Sequence, residues 1–159
     1  MIDVIFAIKF VHVLAAAAMF GTWLCLAAFM WLAHRSKNTS VVALVSQFVV
    51  TIEKTVMIPI ILLQPLSGFP LAYAIGLQPF YELWIQISLV FFAVIVVCWI
   101  VVMRTEIRIR DLAREAALES EPLPKSYRQK FRLWRMLAGP LLIGMMCVFA
   151  LMIWQPRLD

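Results

Sequence analysis

The chain of 159 residues is 64% hydrophobic and only 14% charged, with a formal net charge of +5. Soluble domains average about 45–50% apolar and about 25% charged, and a globule of this size cannot bury such an excess. An ordinary soluble enzyme, a disordered tail and a nucleic-acid-binding domain are thereby excluded, and the expected fold is an all-α integral membrane four-helix bundle.

Four apolar stretches are long enough for the ~20 residues that cross a ~30 Å hydrocarbon core. They cover about 5–33, 41–63, 83–103 and 136–154, with polar loops at 34–40 and 104–135 between the first and second and the third and fourth. The first is not expected to be a signal peptide. Its apolar run exceeds the usual ~7–15 residues, and Asp3 stands where a basic segment belongs. It is read as a retained helix.

The second stretch is irregular. Hydrophobicity continues to about Phe80, which as one helix from Val41 would measure about 60 Å at 1.5 Å per residue. Pro59, Pro65, Gly68 and Pro70 interrupt it. Proline removes a backbone donor and bends a helix, so 64–70 is expected to be kinked or partly unwound, within an outer segment 64–80. Irregular backbone at membrane depth survives only where protein or a wet cavity covers it. The break therefore points either to a pocket or to a structural kink alone.

The third stretch should run on as a helix into the cytoplasm. Arg104 to Ser120 contains no Gly or Pro and ends at Glu121-Pro122-Leu123-Pro124. Glu106 and Arg110 are i,i+4 neighbours of opposite sign, while Asp111 and Glu115 are neighbours of like sign. A basic face toward anionic headgroups is the expected role of this region. No motif or aromatic interleaving suggests a nucleic-acid partner.

The two polar loops hold 11 of the 14 basic residues, all but Lys9, Lys54 and Arg157. Cytoplasmic loops collect Lys and Arg, so both termini are expected on the periplasmic side of a bacterial inner membrane. Trp31 and Trp134 then fall near the inner interface, Trp84 and Trp154 near the outer one. Cys25, Cys98 and Cys147 all lie within spans, where they are expected as small buried packing residues and not as a disulfide framework.

Ionisable groups inside spans are expensive and raise a functional hypothesis by default. Counted from the inner boundaries, His12 lies at about 33 Å, Gln86 at about 27 Å and Gln64 at about 34 Å. These residues form a polar layer near the outer face. A neutral imidazole there suits a haem-iron or transition-metal ligand, or a proton carrier; the alternative is a histidine that hydrogen-bonds a neighbouring helix. For haem, Met57, Met152 and Lys9 are chemically capable second ligands, and a five-coordinate iron is also allowed. The absence of CxxCH excludes covalent attachment.

Glu53 and Lys54 lie about 18–20 Å past Val41, slightly beyond the midplane. Adjacent residues on a helix do not face each other, so each needs its own partner or a wet cavity. Glu53 is a candidate proton-transfer group. An inner boundary near Gln47 would instead bring both close to the interface.

Several segments carry a resemblance: Lys9-Phe10-Val11-His12-Val13-Leu14, Phe20-Gly21, Gln64-Pro65-Leu66-Ser67-Gly68, Ile109-Arg110-Asp111-Leu112-Ala113 and Leu123-Pro124-Lys125-Ser126-Tyr127-Arg128. Together they resemble a bacterial family of predicted four-span integral membrane proteins of unknown function. More distantly, the chain is similar to HemJ-type protoporphyrinogen oxidases and CopD-type copper-resistance membrane proteins. The shared pattern is an early histidine in span one, a Pro-containing second span and a long basic inner loop. The HemJ-type resemblance implies that His12 is associated with haem b. That pattern places a histidine and a lysine early in span three, where this chain reads Trp84-Ile85-Gln86-Ile87-Ser88-Leu89.

Two functions follow as expectations. One is a haem-b-binding redox membrane protein, with His12 as axial ligand, Lys9, Gln64 and Gln86 lining the cofactor, and Glu53 passing protons. Besides the bilayer, its partners would be a respiratory or redox protein or a second copy of the chain. The other is a non-catalytic accessory or scaffold protein without a cofactor.

Overall fold

The computed structural model describes residues 2–155, so Arg157 lies outside the described residues. The chain is all-helical. Helix α1 spans Ile2–Arg35, α2 Thr39–Ile52, α3 Ile58–Ala74, α4 Leu83–Leu118 and α5 Lys125–Trp154, with a π-helical turn at Glu53–Met57 joining α2 to α3. Four helical rods result, each long and apolar enough to cross a membrane: Asp3–Arg35, Thr39–Ala74, Leu83–Leu118 and Lys125–Trp154.

The connections at the basic end are short. After α1, the Ser36 hydroxyl donates to the Ala33 carbonyl at 2.7 Å, and the Asn38 side chain accepts from the backbone N–H groups of Ser40 and Val41 at 3.0 and 3.2 Å. Asn38 thus caps α2 by satisfying donors that have no intrahelical partner. Between α4 and α5 only residues 119–124 are non-helical. The Thr39 hydroxyl donates to the Glu121 carbonyl at 3.2 Å and links the two turns. The fourth rod therefore begins at Lys125, eleven residues before the apolar run at Met136, and most of the loop expected at 104–135 is a helical hairpin. Its amphipathic pattern buries Tyr127, Phe131 and Trp134 against the bundle, which accounts for the helix continuing through polar sequence.

The expected unwinding at 64–70 does not occur. Residues 58–74 are helical, with Pro65 and Pro70 inside α3. Each proline removes one backbone donor, but unwinding would expose many more polar groups to hydrocarbon, so the helix persists. The backbone adjusts at Pro59 instead. The π turn immediately before it closes with the Ile58 N–H donating to the Glu53 carbonyl. The wider turn loosens the ladder where the proline ring would otherwise meet the carbonyl four residues earlier. α3 ends in a glycine cap: Gly76 has φ +82°, with Gly76 N–H donating to Tyr73 O at 3.1 Å and Leu77 N–H to Ala72 O at 2.9 Å.

α4 packs along α2 on one side and α5 on the other, while α1 packs along α2 and α3. The stripe running from α2 into the π turn is Val42, Ser46, Val49, Val50 and Glu53, and the facing α4 stripe includes Trp99, Val102, Glu106, Ile109 and Ala113. Spacings of three and four residues put each set on one helix face. The outward faces carry Phe10, Leu14, Phe48, Leu66, Val90 and Met146, all exposed. An apolar outer surface of this kind suits lipid and not water.

Cys25 and Cys147 are exposed and Cys98 half-buried, which corrects the expectation of buried packing residues. Their weakly polar thiols are compatible with an apolar surround. Trp84 and Trp134 are buried, whereas Trp154 is exposed.

Candidate functional site

Near the N-terminal end of α1, His12 points toward α3 and is 9% exposed. Its Nδ1 lies 2.8 Å from the Ser67 hydroxyl oxygen. That hydroxyl stands 2.6 Å from the Leu63 carbonyl and 3.3 Å from the Gln64 carbonyl, so its proton is committed to the helix backbone. Ser67 can then only accept from the imidazole. Nδ1 carries the proton and Nε2 the lone pair, a tautomer set by the hydrogen-bond network. Gly68 makes the close approach possible, because a Cβ there would stand 3.0 Å from His12 Cε1. Gln64, one turn away on the same face, is buried, and its amide nitrogen has no hydrogen-bond partner.

Of the polar layer expected from sequence, the structure joins His12 and Gln64 and adds Ser67. The signal for Ser67 lay in the spacing: Gln64, Ser67 and Gly68 fall at i, i+3 and i+4, one helix face. Gln86 is not brought to His12; it is exposed, and its amide donates to the Phe80 carbonyl at 2.6 Å. Lys9, one turn from His12 on α1, has an exposed side chain. Met57 is fully buried two turns below Gln64, and Met152 is exposed. Among the described residues, no group of three or more His, Cys, Asp or Glu side chains could hold a metal ion.

Deeper in the bundle, Glu53 is 0% exposed and Lys54 exposed, so the neighbours diverge as helical geometry requires. The Trp99 indole Nε1 donates to Glu53 Oε2 at 2.6 Å, and Oε1 has no partner.

A second acid repeats the arrangement. Glu106 is 2% exposed, accepts from Trp134 Nε1 at 2.8 Å through Oε1, and leaves Oε2 without a partner. The sequence pairs Glu106 with Arg110, but Arg110 binds Asp111 instead, its Nη2 2.7 Å from Oδ1. The signal missed was the seven-residue step from Trp99 to Glu106, which returns to the same face of α4. No ion pair among the described residues involves either buried acid.

At the basic end, His34 stacks on Phe131 with ring centroids 3.7 Å apart and shares a 3.1 Å hydrogen bond between Nδ1 and the Tyr127 hydroxyl. Desolvation, then the nearby charge of Arg135, lowers the affinity of His34 for a proton. Burial pushes the Tyr127 phenol up to about 12, so it stays a neutral donor.

No curated protein and no solved structure shows a significant match to the chain. A family model does match, over residues 6–156. That range takes in all four rods, both buried glutamates and the His12–Ser67 pair. The chain belongs to the family described as predicted integral membrane protein (DUF2269).

Proposed function

We propose that the chain is a haem-b-binding redox protein of the bacterial inner membrane, with His12 as axial ligand and both termini on the periplasmic side. The observation carrying this reading is the orientation of His12. A ligating histidine is normally held through its second ring nitrogen, which fixes the tautomer and aims the lone pair. Ser67 supplies that hold at Nδ1, leaving Nε2 to ligate. The unpartnered Gln64 amide offers a donor to a carboxylate of a bound ligand, and the exposed Lys9 ammonium lies one turn away. These residues would hold a haem through His12 Nε2, with Gln64 and Lys9 as donors to its carboxylates. Gln86, committed to Phe80, takes no part.

When bound, haem would supply one-electron chemistry. The protein would contribute orientation at His12 Nε2, a polar donor at Gln64 and a proton-holding oxygen at Glu53. Eleven residues separate Glu53 from Gln64, about 16 Å along a helix, so Glu53 would move protons at a distance from the ligand. The concentration of basic residues in 34–40 and 104–135 supports a cytoplasmic placement of that end.

The test is the absorption spectrum of the protein purified with ample haem supply. A Soret band that shifts on reduction and disappears in His12→Ala is the expected result. A folded, colourless protein under those conditions overturns it and favours the second reading, an accessory protein in which His12–Ser67 locks α1 to α3. The same 2.8 Å bond carries that alternative.

A further inference from the structure

We propose that the groove between α4 and α5, at the basic end of the bundle, is a binding site for one anionic phospholipid. The proposal is independent of haem. It goes beyond a diffuse basic face, because it assigns a single lipid to named residues.

The groove has a volume of about 540 Å³, and its walls include Val101, Arg104, Thr105 and Arg108 of α4 and Lys130 and Leu133 of α5. Steps of three and four residues put each set on one helix face. The helices are joined by the short turn 119–124 and run antiparallel. On α4 the chain passes from Val101 to Arg108 toward that turn, about 10 Å along the axis. On α5 it passes from Lys130 to Leu133 away from the turn, about 4–5 Å. Both helices therefore present the same order, an apolar side chain toward the spans and cations toward the turn. The apolar run of α4 ends at Met103 and that of α5 begins at Met136, so the groove lies where hydrocarbon gives way to headgroups. Apolar at one end and cationic at the other, it has the polarity of a phospholipid.

None of the residues lining the groove is acidic. Arg104, Arg108 and Lys130 are exposed, and among the described residues none of them forms an ion pair; the pair nearby is Arg110 with Asp111. Arg104 and Arg108 are like charges at i,i+4, which repel each other until an anion lies between them. Thr105 is buried and its hydroxyl donates to the Val101 carbonyl at 2.8 Å, so it has no proton to offer an anion. Recognition falls to the three cations. Guanidinium forks match phosphate oxygens in pairs, and the lysine ammonium adds a point charge.

The same features select the occupant. A free phosphate would satisfy the cations but leave Val101 and Leu133, both exposed, uncovered. A zwitterionic lipid would bring its own ammonium against three cations, with no carboxylate in the groove to receive it. A phosphodiester headgroup without an amine, its acyl chain lying along Val101 and Leu133, meets both ends. Bound there, the lipid bridges α4 and α5 at the membrane surface.

The experiment uses the full chain in neutral detergent with added phosphatidylglycerol or phosphatidylcholine. Native mass spectrometry counts retained lipid, and the thermal midpoint follows in parallel. Wild type is expected to retain one phosphatidylglycerol in preference to phosphatidylcholine, with a raised midpoint. The triple variant Arg104→Gln, Arg108→Gln and Lys130→Gln should weaken retention about a hundredfold, the combined effect of three surface cations on an anionic lipid. The triple Arg114→Gln, Arg128→Gln and Arg132→Gln removes the same charge outside the groove and should retain the lipid as wild type does. Lys130→Glu, a single exposed change, should also lower retention and guards against misfolding of the first triple. Equal retention of the two lipids, equal loss in the two triples, or unchanged retention in Lys130→Glu overturns the proposal. So does inorganic phosphate, if it alone reproduces the rise in midpoint. No variant touches His12, so absorption of bound haem reports separately on the redox reading.

Discussion

Trp99 Nε1 lies 2.6 Å from Glu53 Oε2, and this bond fastens α4 to the π turn that joins α2 to α3. Among the described residues it is the sole hydrogen bond to the completely buried Glu53 carboxyl group, so its removal has an outsized cost. Trp99→Phe keeps most of the ring but deletes the donor. Stability should fall by about 1–3 kcal/mol, the usual penalty for stranding a buried polar group. Glu53→Gln, which keeps an acceptor for the indole, should cost less. Unfolding in mixed detergent micelles, followed by circular dichroism, measures both. Equal costs for the two variants would show that the hydrogen bond does not carry the contact.

Gly68 tests the geometry of the His12 site. Alanine there would place a methyl group 3.0 Å from His12 Cε1, closer than side chains normally approach. The imidazole must shift, and the 2.8 Å bond to Ser67 must lengthen or break. Gly68→Ala should therefore weaken haem retention in the proposed redox protein while leaving a folded bundle. Ser67→Ala should act in the same direction by releasing the Nδ1 proton from its acceptor. Soret absorbance per mole of purified protein is the readout, and undiminished absorbance in both variants would separate the haem site from this pair.

Gly76 carries a backbone prediction. Its φ of +82° lies where a side chain is strained, and the cap it forms closes α3. Gly76→Ala should destabilise the protein by about 1 kcal/mol through that strain, since no heavy atom within 4 Å would obstruct the new Cβ. A lower thermal midpoint with unchanged helix content would agree. A stabilising effect would mean that the turn at 75–82 adopts another conformation in detergent.

The rods were legible from apolar run length, because the bilayer imposes length directly. The continuation of α4 to Leu118 was also legible, from helix-forming composition without Gly or Pro. The path through Pro65 and Pro70 was not, because breaker residues are weighed against water, and hydrocarbon gives an unwound backbone nothing to bind. His12 and Glu53 stood out as polar exceptions inside apolar runs. Glu106 did not, because it sits in a charged segment where any acid reads as solvated. Only the packing of α5 against α4 reveals that Trp134 covers it. Ser67 was hidden for a related reason: a lone serine in a helix ordinarily bonds its own backbone, and that bond is what readies it to accept from His12.

His34 yields a pH dependence with a definite sign. Its proton affinity in the folded protein lies below the ordinary histidine value near 6.5, chiefly through desolvation and then through Arg135. Between the folded and unfolded pKa values the unfolded chain binds more protons, so stability rises with pH across that interval. The contribution of His34 is fully present above the unfolded value. It declines as pH falls below about 6.5 and levels off once the folded histidine is also protonated. Protonation would put a cation between Phe131 and Tyr127, near Arg135, at the contact that ties the end of α1 to α5. The measurement is the thermal midpoint from pH 7.5 to pH 5 for wild type and His34→Phe, which keeps the stacking face without titrating. The wild-type midpoint should fall relative to the variant as pH decreases. Parallel curves would assign any acid sensitivity to other groups.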